Sequence, residues 1–241
     1  ELYKLYANIK ELSMNEEPIE TTHDIRSEFH NEINQLEIDV LKMSNCSKSA
    51  ISNAVKSLVT YDKDLAKDVI NECAQKITKM DIEIESKCIE LIALQQPMAG
   101  DLRIITTCLK IITDIVRICD HAVNIAETVC LKDENTIVKP IIDIPHMSDI
   151  VIEMIDDSLR AFKTRDADLA KELSKKDDFI DALYDQVRRE LITYMIEDPN
   201  LIKESSCLTF VASDLERAAD HACNIASRVV YMVTGERIRI K

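Results

Sequence analysis

The chain has 241 residues, enough for one large domain or two small ones, and contains only two glycines and five prolines. Glycine and proline average roughly 7% and 5% of protein residues, so this scarcity, together with abundant Glu, Lys, Leu, Ile and Ala, favours an all-α fold. The formal net charge of −14 argues against a nucleic-acid partner, because phosphate contacts need clustered Lys and Arg. It also disfavours anionic lipid, whereas an acidic surface suits a cation or a basic protein partner.

Secretion, membrane insertion and disulfide bonding are not expected. No apolar run approaches the ~20 residues that a bilayer-spanning helix needs, and no segment resembles a signal peptide. The eight cysteines include no C-x-x-C pair of the kind that zinc sites and redox motifs use. We therefore expect a cytoplasmic protein whose free thiols act as small apolar packing residues.

The first half of the chain contains one very long segment without helix breakers. Ile19–Gln96 lacks both Pro and Gly, and as a single helix it would be more than about 100 Å long, so it must fold back on itself. The polar cluster Thr60–Asp64 is the predicted turn, with Asp62 or Asp64 capping the next helix. The predicted helices run from about Arg26 to Leu58, Asp64 to Leu94 and Asp101 to Leu131.

The same plan is repeated in the second half. Lys132–His146, with Pro140 and Pro145, is the predicted linker between the halves, and Thr164–Asp166 forms the second polar break. The predicted helices here run from about Met147 to Lys163, Asp168 to Glu197 and Leu201 to Thr234.

Internal repetition is the strongest organisational signal in the chain. Asp62-Lys-Asp-Leu-Ala is echoed by Asp166-Ala-Asp-Leu-Ala, and eight further residues recur at positions one hundred later. Those eight are Asp114, Arg117, Asp120, His121, Ala122, Asn124, Ile125 and Ala126. The sequence therefore predicts two tandem antiparallel three-helix bundles, at 26–135 and 136–241, after an N-terminal extension at 1–25.

The third helix of each half carries a narrow polar seam on an otherwise apolar surface. A helix that is apolar over so much of its circumference packs among neighbours, so its charged residues need partners. Asp114 and Arg117 are three residues apart, as are Asp214 and Arg217, and this spacing places the side chains side by side. We expect these residues to form ion pairs within their own helices.

Four acidic residues are predicted to meet in the second half. On either side of the turn at Pro199, Asp181 and Glu216 are almost equally distant along the chain, and so are Asp177 and Asp220. Carboxylates that face each other across two antiparallel helices would raise one another's pKa unless a cation neutralised them. Oxygen ligands suit Mg, Ca, Mn or iron better than Zn. The solvated faces of two acidic helices would explain the same residues without a metal.

The residues around this cluster differ in their suitability as ligands. His121 and His221 adjoin aspartates, but adjacent helix positions diverge by about 100°, so we expect a supporting or packing role for both. The first half lacks the acids: Val116 takes the place of Glu216, and the facing helix offers other residues where the second half has aspartates. These are Ala74, Gln75 and Thr78. Any metal should therefore bind the two halves unequally.

These motifs resemble those of the PhoU family, regulators of phosphate uptake. The resemblance is carried by the turn Leu94–Arg103 (LQQPMAGDLR), by the twin Asp-x-x-Arg-x-x-Asp-x-Ala-x-Asn-Ile-Ala segments and by Phe29-x-x-Glu-Ile-x-x-Leu near the start. It extends from about Arg26 to Gly235, which is most of the chain.

The resemblance implies a pair of three-helix bundles, often as a homodimer, with metal clusters of iron or zinc at the D/E-x-x-x-D motifs. It also implies a function: restraint of a phosphate ABC transporter, through its ATPase subunit, and of a partner sensor histidine kinase when phosphate is plentiful. The missing acids in the first half depart from the family pattern. Residues 1–25 lie outside the resemblance, and we expect Met14 to be the native start, with 1–13 left from an expression tag whose Glu1–Lys4 is like the end of a fluorescent-protein tag.

Two other functions remain open at this stage. A ferritin-like di-metal enzyme would use paired Glu-x-x-His motifs, but the only such motif, Glu20 to His23, stands alone before the bundles. An accessory of a sodium- or proton-coupled phosphate carrier would share the same fold. No catalytic triad, glycine-rich phosphate loop or nucleophile elbow is present, so we predict that the protein is not an enzyme.

Overall fold

The computed structural model describes residues 22–131 and 143–241, with side chains from residue 27 onward. Its helices are α1 (Thr22–Thr60), α2 (Lys63–Asp68), α3 (Ala74–Gln95), α4 (Ala99–Leu131), α5 (Asp143–Thr164), α6 (Ala167–Glu197) and α7 (Ile202–Thr234). A π-helical segment, Val69–Cys73, joins α2 to α3, and a 3-10 turn, Pro199–Leu201, precedes α7. The described ranges contain no strand, so the predicted all-α class is confirmed.

The helices follow the predicted segments closely, apart from the π-helical segment within the predicted Asp64–Leu94 helix and a difference at the linker. α5 begins at Asp143, so Pro145 lies in its first turn, where the missing N–H would have no partner in any case. The rest of the predicted linker, 132–142, and most of the predicted N-terminal extension, 1–21, lie outside the described residues.

The turn at the end of the first helix is built in the same way in both halves. Asp62 caps α2 by accepting hydrogen bonds from the backbone amides of Asp64 and Leu65, at 3.1 and 2.9 Å. Asp166 caps α6 through the equivalent amides two and three residues later, at 3.0 and 2.9 Å. Tyr61 and Arg165, which precede the caps, both adopt the left-handed conformation, with φ of 57° and 58°. Of the two predicted caps, Asp62 and Asp64, the structure has Asp62, and the two turns share the same backbone geometry.

The two halves each form a three-helix bundle and pack against one another. In the first half, the bundle consists of α1, α4 and the continuous helical segment formed by α2, the π-helical segment and α3. In the second half, it consists of α5, α6 and α7. Between the halves, α4 packs on α7 and α1 on α5, and the buried apolar residues form one continuous core. The predicted pair of three-helix bundles is confirmed.

Reciprocal polar contacts join α4 to α7 at the centre of this interface. His121 Nδ1 lies 2.8 Å from Asp214 Oδ1, and His221 Nδ1 lies 2.9 Å from Asp114 Oδ1. Since a carboxylate only accepts hydrogen bonds, Nδ1 carries the proton in each pair. The two imidazole rings are tilted against each other with centroids 5.6 Å apart. The repeated motif therefore links the two halves through approximate two-fold symmetry.

The prediction that these aspartates pair with arginines of their own helices was wrong. Asp114 and Asp214 turn to the opposite helix, where Asn224 and Asn124 also donate to them, at 3.4 and 3.1 Å. Arg117 instead forms an exposed ion pair with Asp120, at 3.1 Å. Spacing along one helix cannot reveal that a half-buried partner on another helix competes for the same carboxylate.

Because the pairs connect earlier residues of one helix to later residues of the other, α4 and α7 run antiparallel. The turn between α3 and α4 and the turn between α6 and α7 therefore lie at opposite ends of the interface. With 33 residues in each helix, these turns are about 50 Å apart at 1.5 Å per residue.

The π-helical segment accounts for a one-residue difference between the halves. Buried Val69 and Ile77 are separated by one residue more than their counterparts, Leu173 and Ile180. A π-bulge is the usual way for a helix to absorb a single additional residue without losing its buried face. The buried positions before and after the bulge therefore match those of the second half, whereas the residues within the bulge are out of step with their counterparts.

Candidate metal centre

The four acidic residues predicted to meet do lie together. Asp177 and Asp181 are on α6, and Glu216 and Asp220 face them from α7, across the antiparallel hairpin that closes at Pro199. Asp177 is buried, with only 2% of its surface exposed, while Glu216 and Asp220 are half-buried and Asp181 is exposed. Solvent therefore reaches the cluster at Asp181.

Burial and mutual repulsion shift the protonation of this cluster. Burial raises the pKa of Asp177, Asp181 and Glu216, and the negative charge of Asp220 raises all three pKa values further. The carboxylates thus destabilise one another when all are ionised, as like charges at short range must. A bound cation would remove this repulsion.

Two neighbours offset part of the negative charge. The Cys223 thiol donates a hydrogen bond to Asp177, which lowers the pKa of that carboxyl, while burial and the surrounding acids raise the pKa of the thiol well above its ordinary value. The positive charge of Lys241 lowers the pKa of Asp177 and Asp181. The segment after α7 therefore returns to the edge of the acidic cluster.

The chemistry of these four side chains fits a cation that prefers oxygen ligands. Their side-chain positions do not yet form a metal site. Within residues 22–131 and 143–241, no group of three or more His, Cys, Asp or Glu side chains is arranged to bind a metal ion. The carboxylates are close enough to interact electrostatically, and they would have to turn inward to share one ion.

The first half has thiols in the corresponding region. Cys73, at the end of the π-helical segment, interacts electrostatically with Cys46 of α1 and Cys119 of α4. Burial, the largest cause, raises the pKa of Cys73, and it raises that of Cys119 to about 12, so both thiols are neutral at pH 7. This group was not predicted from the sequence, although the pairing of Asp62 with Asp166 and of Ala74 with Asp177 already places one additional residue in the first half just before these positions.

The histidines stand apart from the acidic cluster. His221 follows Asp220 in the chain, yet its Nδ1 is directed to Asp114 of the other half, and His121 is directed to Asp214. Both bind carboxylates that lie outside the four predicted ligands. This agrees with the expected supporting or packing role.

Comparison with known proteins identifies the fold and its repeats. The family model for the PhoU domain matches twice, at residues 40–129 and 144–229. The chain belongs to the PhoU family. Each match falls within one of the two three-helix bundles.

Curated relatives of this family are similar over almost their whole length. A phosphate-specific transport system accessory protein PhoU homolog from Aquifex aeolicus (strain VF5) is 42% identical over 208 residues, covering 86% of this chain and 94% of the relative. A homolog of the same name from Pseudomonas putida is 35% identical, covering 90% of this chain and 85% of the relative.

Solved structures agree with the fold. The crystal structure of the phosphate transport system regulatory protein PhoU from Streptococcus pneumoniae superposes with a TM-score of 0.81 at 30% identity, covering 87% of this chain and 99% of that one. PhoU from Pseudomonas aeruginosa gives the same TM-score at 33% identity, covering 86% and 100%.

The relatives are named as accessory or regulatory proteins, so the PhoU family is a regulatory family of phosphate transport and not a family of enzymes. The names of these relatives agree with the predicted family. Along the described parts of the chain, no helix combines the length and apolar character that crossing a bilayer requires.

Replacing Glu216 by Gln should raise the melting temperature of the metal-free protein at pH 7. Because burial and the neighbouring acids hold the folded pKa of Glu216 above its ordinary value, the folded state loses stability as pH rises from the ordinary pKa through the folded pKa. The gain should disappear near pH 4, where the wild-type carboxyl is protonated. Calorimetry in a chelating buffer measures it.

Glu127→Gln is the matched control, since this exposed glutamate of α4 lies outside the cluster. It should leave the melting temperature unchanged at both pH values. A lower melting temperature for Glu216→Gln at pH 7 would contradict the repulsion between the four carboxylates.

Proposed function

We propose that the protein is a cytoplasmic adaptor that restrains a phosphate ABC transporter, through its ATPase subunit, and a sensor histidine kinase when phosphate is plentiful. Support comes from the relatives, which are named as accessory proteins of a phosphate-specific transport system. An adaptor needs two separate docking surfaces, and the duplicated fold offers two that are related by approximate symmetry.

The exposed apolar residues at the two helical turns carry this proposal. At the turn between α3 and α4, Leu94 and Met98 are 70% and 79% exposed. At the turn between α6 and α7, Ile196 and Ile202 are 76% and 48% exposed. Large apolar side chains grouped at an exposed turn are typical of a protein interaction site. Because these turns lie at opposite ends of the α4–α7 interface, one molecule could hold two partners at once.

Charge reversal of each turn tests this arrangement. Leu94→Glu with Met98→Glu should abolish co-purification with one of the two partners and leave the other bound. Ile196→Glu with Ile202→Glu should have the opposite selectivity, because a buried charge in an apolar contact is costly. Co-purification of tagged protein with the transporter ATPase subunit and with the sensor kinase measures both.

Ile82→Glu with Ile89→Glu is the matched control, since these residues are similarly exposed on the side of α3, away from the turns. It should retain both partners. If both turn variants retain both partners, or if the wild-type protein captures neither, the adaptor proposal is wrong.

We also propose that Asp177, Asp181, Glu216 and Asp220 hold a metal ion that fixes the spacing of α6 and α7. The raised pKa values of three of these carboxyls support a cation at this place, and four oxygen ligands favour iron over zinc among the two metals that the family likeness suggested. A second copy of the chain as partner, in a homodimer, stays a prediction.

Metal content tests this second proposal. Neutralising all four acids (Asp177→Asn, Asp181→Asn, Glu216→Gln and Asp220→Asn) should remove the bound metal, measured by elemental analysis after loading and desalting. It should also abolish the metal-dependent rise in stability, which is about 2.7 kcal/mol for a site at one hundred times its Kd.

A control with four exposed acids neutralised elsewhere should bind metal as the wild type does. Suitable positions are Glu85, Glu90, Glu127 and Asp149. Equal metal content in the wild type and the cluster variant would contradict the proposed site.

A further inference from the structure

A cavity lies between α4, α7 and the segment that follows α7. Its volume is about 290 Å³, close to the lower end of the ~300–1,000 Å³ typical of small-molecule sites. Lys110 of α4, Arg228 of α7 and Arg237 of the C-terminal segment line it, together with hydroxyl groups that include those of Thr107 and Tyr231. No acidic residue lines this cavity in the part of the chain that the structure describes.

This grouping of cations is unusual in so acidic a chain. The net charge is −14, and ion pairs are frequent on other helix surfaces. Three exposed cations at the cavity form no ion pair with any described residue: Lys110, Arg228 and Arg237. Three like charges held around one cavity repel each other, so a multivalent anion would stabilise the arrangement.

The C-terminal segment is held in place by contacts of its own. Gly235 ends α7 in the left-handed conformation, with φ of 79°, and turns the chain back. The Ile240 N–H donates to Ser227 Oγ at 3.0 Å, and the Ile240 side chain is buried. The Arg237 guanidinium lies over the Tyr231 ring, 5.5 Å from its centroid. These contacts of the C-terminal segment therefore hold Arg237 at the cavity.

A fourth cation adjoins the cavity. Arg103 is on α4, one turn before Thr107, and its Nε is buried without a hydrogen-bond partner. Arg103 Nη1 is close to Gly235: a methyl group added at Gly235 would lie 2.9 Å from this nitrogen. A buried guanidinium nitrogen without an acceptor is costly, and it adds positive potential to the same end of the α4–α7 interface.

Among the described residues, the symmetry-related positions of α4 and α7 differ from those that line the cavity. In the hundred-residue repeat, the counterpart of Lys110 is Phe210. The counterparts of Arg228 and Tyr231 are Thr128 and Leu131. Lys110 and Arg228 are therefore not repeated as cations, whereas Lys203 takes the place of Arg103. The equivalent helix packing therefore does not by itself place cations at the positions of Lys110 and Arg228.

We propose that this cavity binds a small multivalent phosphate anion, either free orthophosphate or a short chain of phosphate groups. Phosphate groups carry about −1.5 to −2 charge at pH 7 and three or more acceptor oxygens, which match several unpaired cations and hydroxyl donors better than a single carboxylate does. Arginine is well suited to this role because its planar guanidinium can donate two parallel hydrogen bonds to phosphate. Binding at this cavity is independent of how transporter or kinase dock.

Calorimetric titration of the full chain tests the proposal, with orthophosphate, pyrophosphate and tripolyphosphate as probes in separate arms. The wild type should bind at least one of them saturably, and the arm that binds most tightly distinguishes free phosphate from a phosphate chain. Lys110→Gln with Arg228→Gln and Arg237→Gln should weaken that binding at least tenfold. All three residues are exposed, so the variant should keep its helical circular dichroism and should not melt at a lower temperature than the wild type.

Lys163→Gln with Arg188→Gln and Arg189→Gln is the control, because it removes the same charge from exposed positions outside the cavity. Its affinity should equal that of the wild type. The proposal is overturned if no phosphate probe binds, if the control loses as much affinity as the cavity variant, or if a penta-glutamate peptide binds more tightly than every phosphate probe.

Discussion

The antiparallel packing of α4 on α7, fixed by two reciprocal histidine–aspartate pairs, is the contact on which the rest of the molecule depends. Each pair buries an aspartate of one half against a histidine of the other, and an asparagine of the same helix also donates to that carboxylate. A shift of either helix by one residue would break both pairs and leave half-buried charges without partners, which is costly. Apolar burial supplies most of the stability, and the polar pairs fix the register.

This symmetric interface supports two sites that are not symmetric. The acidic cluster is confined to the hairpin of α6 and α7, while the basic cavity lies on the side of the interface where the C-terminal segment returns. That segment connects them, since Arg237 lines the cavity and Lys241 lies beside Asp177 and Asp181. A ligand at one site could therefore influence the other through a few ordered residues.

Much of the fold follows from the sequence because its strongest signals are local or repeated. Helix breakers, the cap at Asp62 and the recurrence of one motif after one hundred residues determine the helices and their grouping. Counting from the turn at Pro199 was enough to bring the four acids together, because antiparallel helices joined by a short turn have a fixed register.

Contacts between the two halves could not be predicted from local or repeated sequence signals. Nothing in the spacing of Asp114 and Arg117 indicates that the aspartate binds His221 from a helix one hundred residues away. The π-helical segment was also missed, although the pairing of Asp62 with Asp166 and of Ala74 with Asp177 already implies one additional residue in the first half. The cavity depends on a segment that folds back after Gly235, and tertiary contacts alone determine its path.

A double-mutant cycle on His121 and Asp214 tests the central interface most directly. Unfolding of the wild type, His121→Ala, Asp214→Ala and the double variant by denaturant gives the coupling energy between the two side chains. The reciprocal interface predicts a favourable coupling of about 0.5–3 kcal/mol for this pair and a value within about 0.5 kcal/mol of zero for Asp214 with Arg217. Coupling of Asp214 to Arg217 and none to His121 would contradict it.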